Sequence, residues 1–101
     1  MNVTVLDHPL INHYMTIIRN KNTSSSEFKS LAKRVSILMG FEVFKELIVN
    51  DHKIETPLEN YDGIKINEPY PCLVSILRAG SIVVDGLSEV LPYCSTGYIG
   101  I

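Results

Sequence analysis

The sequence predicts an α/β fold in which N-terminal helices and a β-hairpin arm lead into the first βαβ unit of a mainly parallel sheet. Residues 73–77, LVSIL, are apolar at every position but one, which is typical of a central strand with helices on both faces. Residues 81–91 carry apolar side chains at helical spacing, and a further strand pattern starts near residue 95. Strand, helix and strand in this order predict a right-handed βαβ unit. Because the sequence reaches Ile101 inside that last strand pattern, we expect residues 1–101 to form the N-terminal portion of a single domain, truncated within its sheet.

The composition is that of a globular protein, and it excludes several functional classes. Of the 101 residues, 46% are hydrophobic and 20% are charged, a balance that favours a packed core over disorder. The net charge of −2 lacks the basic excess that a general nucleic-acid binder needs, so we expect no nucleic-acid partner. No apolar run approaches the length of a membrane span, and residues 1–4 do not resemble the start of a signal peptide. We therefore expect no membrane association and a cytoplasmic location.

The cysteines and histidines give no indication of a metal or disulfide site. Cys72 and Cys94 lie in apolar surroundings without CxxC spacing, so we expect reduced, buried thiols in a chain without an export signal. His8, His13 and His52 do not have the spacing of metal ligands, and we predict no metal site built from protein side chains.

The first helix is predicted from a start signal and a periodic apolar face. VTVL at residues 3–6 is a candidate short strand. Asp7 can cap the helix that follows, and Pro9 suits its first turn. Apolar residues then recur at helical spacing as far as Ile18.

The second helix is predicted to be the longest element of the chain. Ser24 and Glu27 have the spacing of a capping box, and the apolar periodicity that they open continues to about Ile48. Gly40 interrupts this periodicity without a neighbouring proline. We therefore expect one long helix with a point of close packing at Gly40.

A hairpin arm is predicted between the helices and the βαβ unit. Residues 53–57 and 61–66 read as two strands joined by a short polar turn at residues 59–60. Their alternation is weak and charges are frequent, so we expect an exposed arm and not core sheet.

The residues that can carry chemistry follow the strand at 73–77. Arg78 has a planar guanidinium that fits two phosphate oxygens and stays charged. Ala79 and Gly80 have little or no side chain, so a ligand can approach their backbone N–H groups, and the following helix N-terminus adds positive character. These three residues predict an anion site large enough for diphosphate. On residue types alone, an arginine paired with a surface carboxylate remains the alternative.

Two residues within the helix at 81–91 also bear on this site. Asp85 lies one turn into the helix, where a carboxylate either interacts with the helix dipole or lies near a magnesium–diphosphate group. Gly86 is expected to let the helix approach the sheet closely.

Several segments, in order along the whole chain, resemble the uracil phosphoribosyltransferase family. ILRAG at 76–80, with VDG at 84–86, resembles the strand, diphosphate loop and helix of that family. The other matching segments resemble its opening, its second-helix entry, its hairpin and its next strand: VTVLDHPLI at 3–11, KNTS with EF at 21–28, ETPL at 55–58 and GYIG at 97–100. Tyr98 departs from the family pattern, in which histidine is common.

The resemblance implies a pyrimidine-salvage reaction, in which uracil and 5-phosphoribosyl 1-diphosphate (PRPP) give UMP and diphosphate. It also implies Mg²⁺ bound with PRPP and a homo-oligomeric enzyme. Arg78, Ala79 and Gly80 match the family's diphosphate-binding loop, whereas no residue matches a catalytic or metal-ligating position. The ribose-phosphate loop and the uracil-recognition loop have no counterpart in these 101 residues, so we expect the chain alone to be inactive. The alternative is a non-catalytic truncated homologue that binds a subunit through its helices and hairpin.

Overall fold

The fold is a βαβ unit backed by two helices, with a separate β-hairpin, in a computed structural model that describes residues 3–76 and 80–100. The elements in chain order are α1 (Pro9–Arg19), α2 (Ser25–Val43), a 3₁₀ turn (Phe44–Glu46), β1 (Val49–Glu55), β2 (Asn60–Ile66), β3 (Leu73–Ile76), α3 (Ser81–Val90) and β4 (Thr96–Ile99). The predicted α/β class, hairpin arm and βαβ unit are confirmed. No helix in the described part of the chain is long and apolar enough to cross a bilayer.

Strands β3 and β4 are parallel neighbours, as predicted, with a register that runs from Leu73↔Thr96 to Ile76↔Ile99. Leu73 and Ser75 are buried on the face that packs against α3, whereas Val74 and Ile76 are half exposed on the other face. The prediction that β3 is covered on both faces is therefore wrong for the described residues. The reason is physical: α3 crosses one face only, so alternate side chains of β3 remain in contact with solvent.

The core is built where α2 packs against α3, and two glycines set the distance between these helices. A Cβ atom added at Gly40 would lie 2.9 Å from Leu87 Cδ2, and one added at Gly86 would lie 2.5 Å from Ser36 Cβ. Close packing at Gly40 is confirmed. The prediction for Gly86 is wrong, because this glycine faces α2 and not the sheet. The buried apolar residues of the core are Ile11, Leu31, Val35, Leu73, Val84 and Leu91.

The start of α1 differs from the predicted start by one residue. His8 is the N-cap, and its Nδ1 accepts a hydrogen bond of 3.1 Å from the Leu10 N–H. Asp7 instead accepts a hydrogen bond from the Asn12 side-chain amide at 2.9 Å. The predicted strand at residues 3–6 does not form: Val3 and Val5 are 79% and 84% exposed, and a short segment without a neighbouring strand gains no ladder hydrogen bonds.

Helix α2 begins as predicted and ends earlier. Ser24 Oγ accepts a hydrogen bond of 3.2 Å from the Glu27 N–H, which is the N-terminal half of a capping box. The helix gives way to the 3₁₀ turn after Val43, five residues short of the predicted end near Ile48. The Ile48 carbonyl accepts a hydrogen bond of 2.8 Å from the Asn67 N–H, and its β-branched side chain suits this extended conformation better than a helix.

The hairpin arm is confirmed, and it is longer than predicted. Strands β1 and β2 pair in antiparallel register from Val49↔Ile66 to Glu55↔Asn60. At its tip, the Thr56 N–H donates to the Glu59 carbonyl at 2.8 Å. Every residue of β1 is exposed, and Leu58 at the tip is 96% exposed. The arm therefore presents apolar side chains to solvent.

A cross-helix ion pair leads to a pH-dependent prediction. Lys33 Nζ on α2 lies 2.6 Å from Glu89 Oε1 on α3, and the hydrogen bond to Glu89 raises the pKa of Lys33 above its usual 10.5. A raised lysine pKa means that the stabilisation is complete below pH 10.5 and disappears as the pH rises through the pKa of the folded state. Because both side chains are largely exposed, the effect is small.

We expect Glu89→Gln to lower the melting temperature slightly near pH 7 and to have a smaller effect at a pH well above 10.5, relative to the wild-type chain. Melting curves of both proteins at the two pH values test this. If the melting temperatures of Glu89→Gln and the wild-type chain differ by the same amount at both pH values, the role given to the ion pair is contradicted.

Candidate functional site

The predicted site lies where β3 leads into α3, and the structure describes part of it. Arg78 and Ala79 lie outside the described residues. Gly80 is described: it directly precedes α3, with φ −77° and ψ −11°, and its N–H donates a hydrogen bond of 3.1 Å to the Ile76 carbonyl. This bond ties the last residue of β3 to the residue before α3.

Gly80 is packed tightly against the end of β3. A Cβ atom at this position would lie 3.0 Å from the Ile76 carbonyl oxygen and 3.1 Å from Ser75 Oγ. Its φ is negative, so the glycine is needed for space and not for a left-handed conformation. The sequence analysis assigned this glycine to ligand access. The structure adds that a larger residue would press on the backbone of Ile76 and force a small shift where β3 meets α3.

The N-terminus of α3 has the electrostatic character of an anion site. Gly80 has no side chain that could cap the helix, and the first turn contains no acidic residue. In contrast, side chains of His8 and Ser24 cap α1 and α2. The partial positive charge at the start of α3 is therefore not offset by a carboxylate in that turn.

Ser75 is part of this region and was missed by sequence reasoning. It is 1% exposed, and its Oγ has no hydrogen-bond partner among the described residues. The signal in the sequence was one hydroxyl in an otherwise apolar strand, immediately before the predicted anion loop. That signal alone does not distinguish a functional serine from a small core residue.

Asp85 lies one turn into α3, as predicted from the sequence. It is an exposed residue on α3, and the pKa of Lys33 on α2 is raised chiefly by the hydrogen bond to Glu89 and to a smaller extent by the charge of Asp85. The charge of Asp85 thus acts weakly on a lysine of the neighbouring helix.

Within residues 3–76 and 80–100, no three His, Cys, Asp or Glu side chains lie close enough together to hold a metal ion. Both cysteines are free thiols. The prediction that both are buried is wrong for Cys72, which is exposed because it lies just outside the covered part of β3. Cys94 is half buried, and this burial, with a smaller contribution from Cys72, raises the pKa of its thiol.

Comparison with known proteins identifies the family. The family profile described as uracil phosphoribosyltransferase matches residues 5–101. The chain belongs to the uracil phosphoribosyltransferase family. The resemblance predicted from the sequence motifs is therefore confirmed.

Curated relatives named uracil phosphoribosyltransferase align with nearly the whole chain. The protein from Alkaliphilus oremlandii is 42% identical over 99 residues, which is 98% of this chain and 47% of the relative. The protein from Acidovorax sp. (strain JS42) is 43% identical over 100 residues, which is 99% of this chain and 48% of the relative. The chain thus spans about half the length of the curated relatives that it matches.

A solved structure supports the fold. The AQ2163 protein from Aquifex aeolicus superposes with a TM-score of 0.87 at 28% identity, over 96% of this chain and 47% of that protein. The helices, the hairpin and the βαβ unit are thus similar to one half of that larger chain.

Proposed function

We propose that residues 1–101 form the N-terminal portion of one uracil phosphoribosyltransferase domain and provide its diphosphate-binding part. In the complete reaction, uracil and PRPP give UMP and diphosphate. The observation that carries this proposal is the family match over residues 5–101, because it includes the whole segment from β3 through α3. The proposal assigns diphosphate binding to Arg78, Ala79 and Gly80.

The chemistry of the reaction explains why this segment matters. The bond from the ribose to diphosphate breaks as positive charge develops on the ribose ring, so stabilising the departing diphosphate is the main electrostatic task. The Arg78 guanidinium can hold two phosphate oxygens at once, and the small residues Ala79 and Gly80 let a phosphate approach the backbone. The Gly80 N–H already donates to the Ile76 carbonyl, so the contribution of Gly80 is space for the ligand. The N-terminus of α3, where the N-cap residue Gly80 has no side chain, adds positive character next to this loop.

Magnesium enters this proposal with the substrate. The described residues bring no cluster of acidic, histidine or cysteine side chains together, so the diphosphate oxygens of PRPP are the natural ligands for Mg²⁺. The ion then reduces the negative charge that Arg78 and the start of α3 must stabilise. A cytoplasmic location, where PRPP and uracil are available, belongs to the same proposal, and two free thiols are compatible with it.

Self-association into a homo-oligomer also belongs to the proposal. The hairpin arm exposes Ile54, Leu58 and Ile64 to solvent. A two-stranded hairpin with an uncovered apolar surface is only marginally stable in water, and contact with a second copy of the chain would stabilise it.

A second candidate function is a non-catalytic interaction module. The outer face of the β3–β4 sheet bears on this choice. Val74, Ile76 and Ile99 are exposed there, as expected of a fragment of an enzyme sheet, whereas a module would cover these side chains with its own residues or with a partner. An uncovered parallel sheet is a surface on which further polypeptide can pack. The module and the enzyme portion differ in diphosphate binding, which only the enzyme portion requires.

Titration of the purified chain with magnesium diphosphate tests the proposed function. We expect saturable binding by the wild-type chain, and about tenfold or greater weakening in Arg78→Ala, because a charge-assisted, two-point contact is lost. Arg34→Ala is the matched control: Arg34 is an exposed arginine on α2, and its loss should leave the affinity unchanged. Equal affinity of Arg78→Ala and the wild-type chain would contradict the assignment.

A further inference from the structure

The two most buried polar side chains described in the chain behave differently. Ser36 is 3% exposed, and its hydroxyl donates a hydrogen bond of 2.8 Å to the Ala32 carbonyl. Ser75 is 1% exposed, and its hydroxyl has no hydrogen-bond partner among the residues that the structure describes. Ser36 is thus a satisfied core serine, whereas Ser75 is not.

An unsatisfied hydroxyl at the position of Ser75 opposes folding. A buried hydroxyl loses its hydrogen bonds to water, and without a protein partner that loss is not recovered. Alanine would fill almost the same space on β3 without this cost. The packing of β3 against α3 therefore gives no reason for a hydroxyl at this position, and such exceptions are uncommon in native proteins.

The Ser75 hydroxyl is directed at the start of α3. A Cβ atom built on Gly80 would lie 3.1 Å from Ser75 Oγ, so the hydroxyl lies beside the residue that begins the helix. The Gly80 N–H is itself bonded to the neighbouring Ile76 carbonyl. A hydroxyl without a described partner, a strand end and a helix N-terminus whose N-cap residue has no side chain therefore meet at one place.

We propose that Ser75 is a positioning residue for diphosphate, whose hydroxyl gains its hydrogen bond when an anion occupies the N-terminus of α3. This inference rests on the proposed function. An anion attracts the backbone N–H groups at the start of the helix, and a small shift of that turn changes which peptide groups lie beside Ser75 Oγ. A hydroxyl can donate or accept, so it can stabilise the shifted turn. Ser75 acts through the backbone at Gly80 and does not touch diphosphate, because its Oγ is closed off from solvent.

The test compares Ser75→Ala with Ser36→Ala in the 101-residue chain. For each protein we would measure the melting temperature without ligand and the dissociation constant for magnesium diphosphate by calorimetry. Ser75→Ala should melt at the wild-type temperature or higher and bind diphosphate about tenfold more weakly, the effect of one hydrogen bond in a charged site. Ser36→Ala should melt at a lower temperature and bind diphosphate like the wild-type chain.

The outcomes separate this inference from the proposed function. If the wild-type chain binds diphosphate and Ser75→Ala binds equally well, the role of Ser75 is overturned while the diphosphate site stands. If Ser75→Ala loses both melting temperature and affinity, the serine is merely structural, and the inference is again overturned. If the wild-type chain binds neither diphosphate nor PRPP, the proposed site fails and this inference fails with it.

Discussion

The purified 101-residue chain is expected to form no UMP from uracil, PRPP and Mg²⁺. The chain aligns with only 47% of its relative from Alkaliphilus oremlandii, and none of its segments resembles the family's ribose-phosphate or uracil loop. PRPP held by its diphosphate at the start of α3 would have no second site beside it to align uracil with the ribose. Without that alignment, the rate advantage of proximity is lost. Chromatographic detection of labelled UMP measures this directly.

The control for this experiment is the full-length relative from Alkaliphilus oremlandii, assayed under the same conditions. UMP formation above background by the 101-residue chain, in proportion to its concentration, would show that a complete active site assembles from these residues. Loss of that activity in Arg78→Ala would exclude a contaminating enzyme as its source.

Gly86→Ala is expected to destabilise the fold more than a glycine-to-alanine replacement at any other glycine that the structure describes. The new Cβ would lie 2.5 Å from Ser36 Cβ and 2.9 Å from the Lys33 carbonyl oxygen, and the latter belongs to the α2 backbone and cannot rotate away. Overpacking of this kind costs about 3 kcal/mol, whereas alanine gains about 1 kcal/mol in helix propensity. We therefore expect the free energy of unfolding to fall by about 2 kcal/mol.

Urea unfolding of Gly86→Ala beside Gly97→Ala measures this effect. Gly97 is the matched control, because the nearest atom to a Cβ there is Val74 Cγ2 at an ordinary 3.8 Å. Its replacement should change stability by less than about 0.5 kcal/mol. If both variants unfold at the same urea concentration as the wild-type chain, α2 and α3 are not in contact at Gly86.

Elements that depend on local pattern were predictable from the sequence. The apolar run at 73–77 and the helical periodicity after Gly80 predicted β3, α3 and their parallel connection to β4, because the chain order leaves one favoured handedness. The charged, weakly alternating segments around Glu55 and Ile66 predicted an exposed arm. In each case the residues that decide the structure lie close together in the chain.

Features that depend on a distant partner were not predictable in the same way. Residues 3–6 have the sequence pattern of a strand, but no described strand pairs with them. Gly86 was assigned to the sheet because its small size indicates a close contact but not which element makes it. Helix α2 ends at Val43, where the following residues enter the hairpin instead of extending the helix.

The candidate site was predictable in part. Residue types alone indicated an anion loop at Arg78, Ala79 and Gly80, and that assignment stays a prediction for all three residues. The family match supports the substrate class, which no residue type in the chain indicates. The unsatisfied hydroxyl of Ser75 became visible only in three dimensions, because hydrogen-bond partners are set by tertiary contacts.

The most direct test of the central claim is a chimera. Residues 1–101 of this chain would replace the aligned part of the Alkaliphilus oremlandii relative, and the rate of UMP formation would be measured with Arg78→Ala and Arg34→Ala versions beside it. We predict UMP formation by the chimera and by its Arg34→Ala version, and loss of at least about 100-fold in Arg78→Ala, comparable to losing one donor to a developing anion. Two results would contradict the claim that this chain provides the diphosphate-binding part of a uracil phosphoribosyltransferase. One is a chimera that shows a cooperative melting transition but forms no UMP. The other is a chimera whose rate of UMP formation is the same with and without the Arg78→Ala replacement.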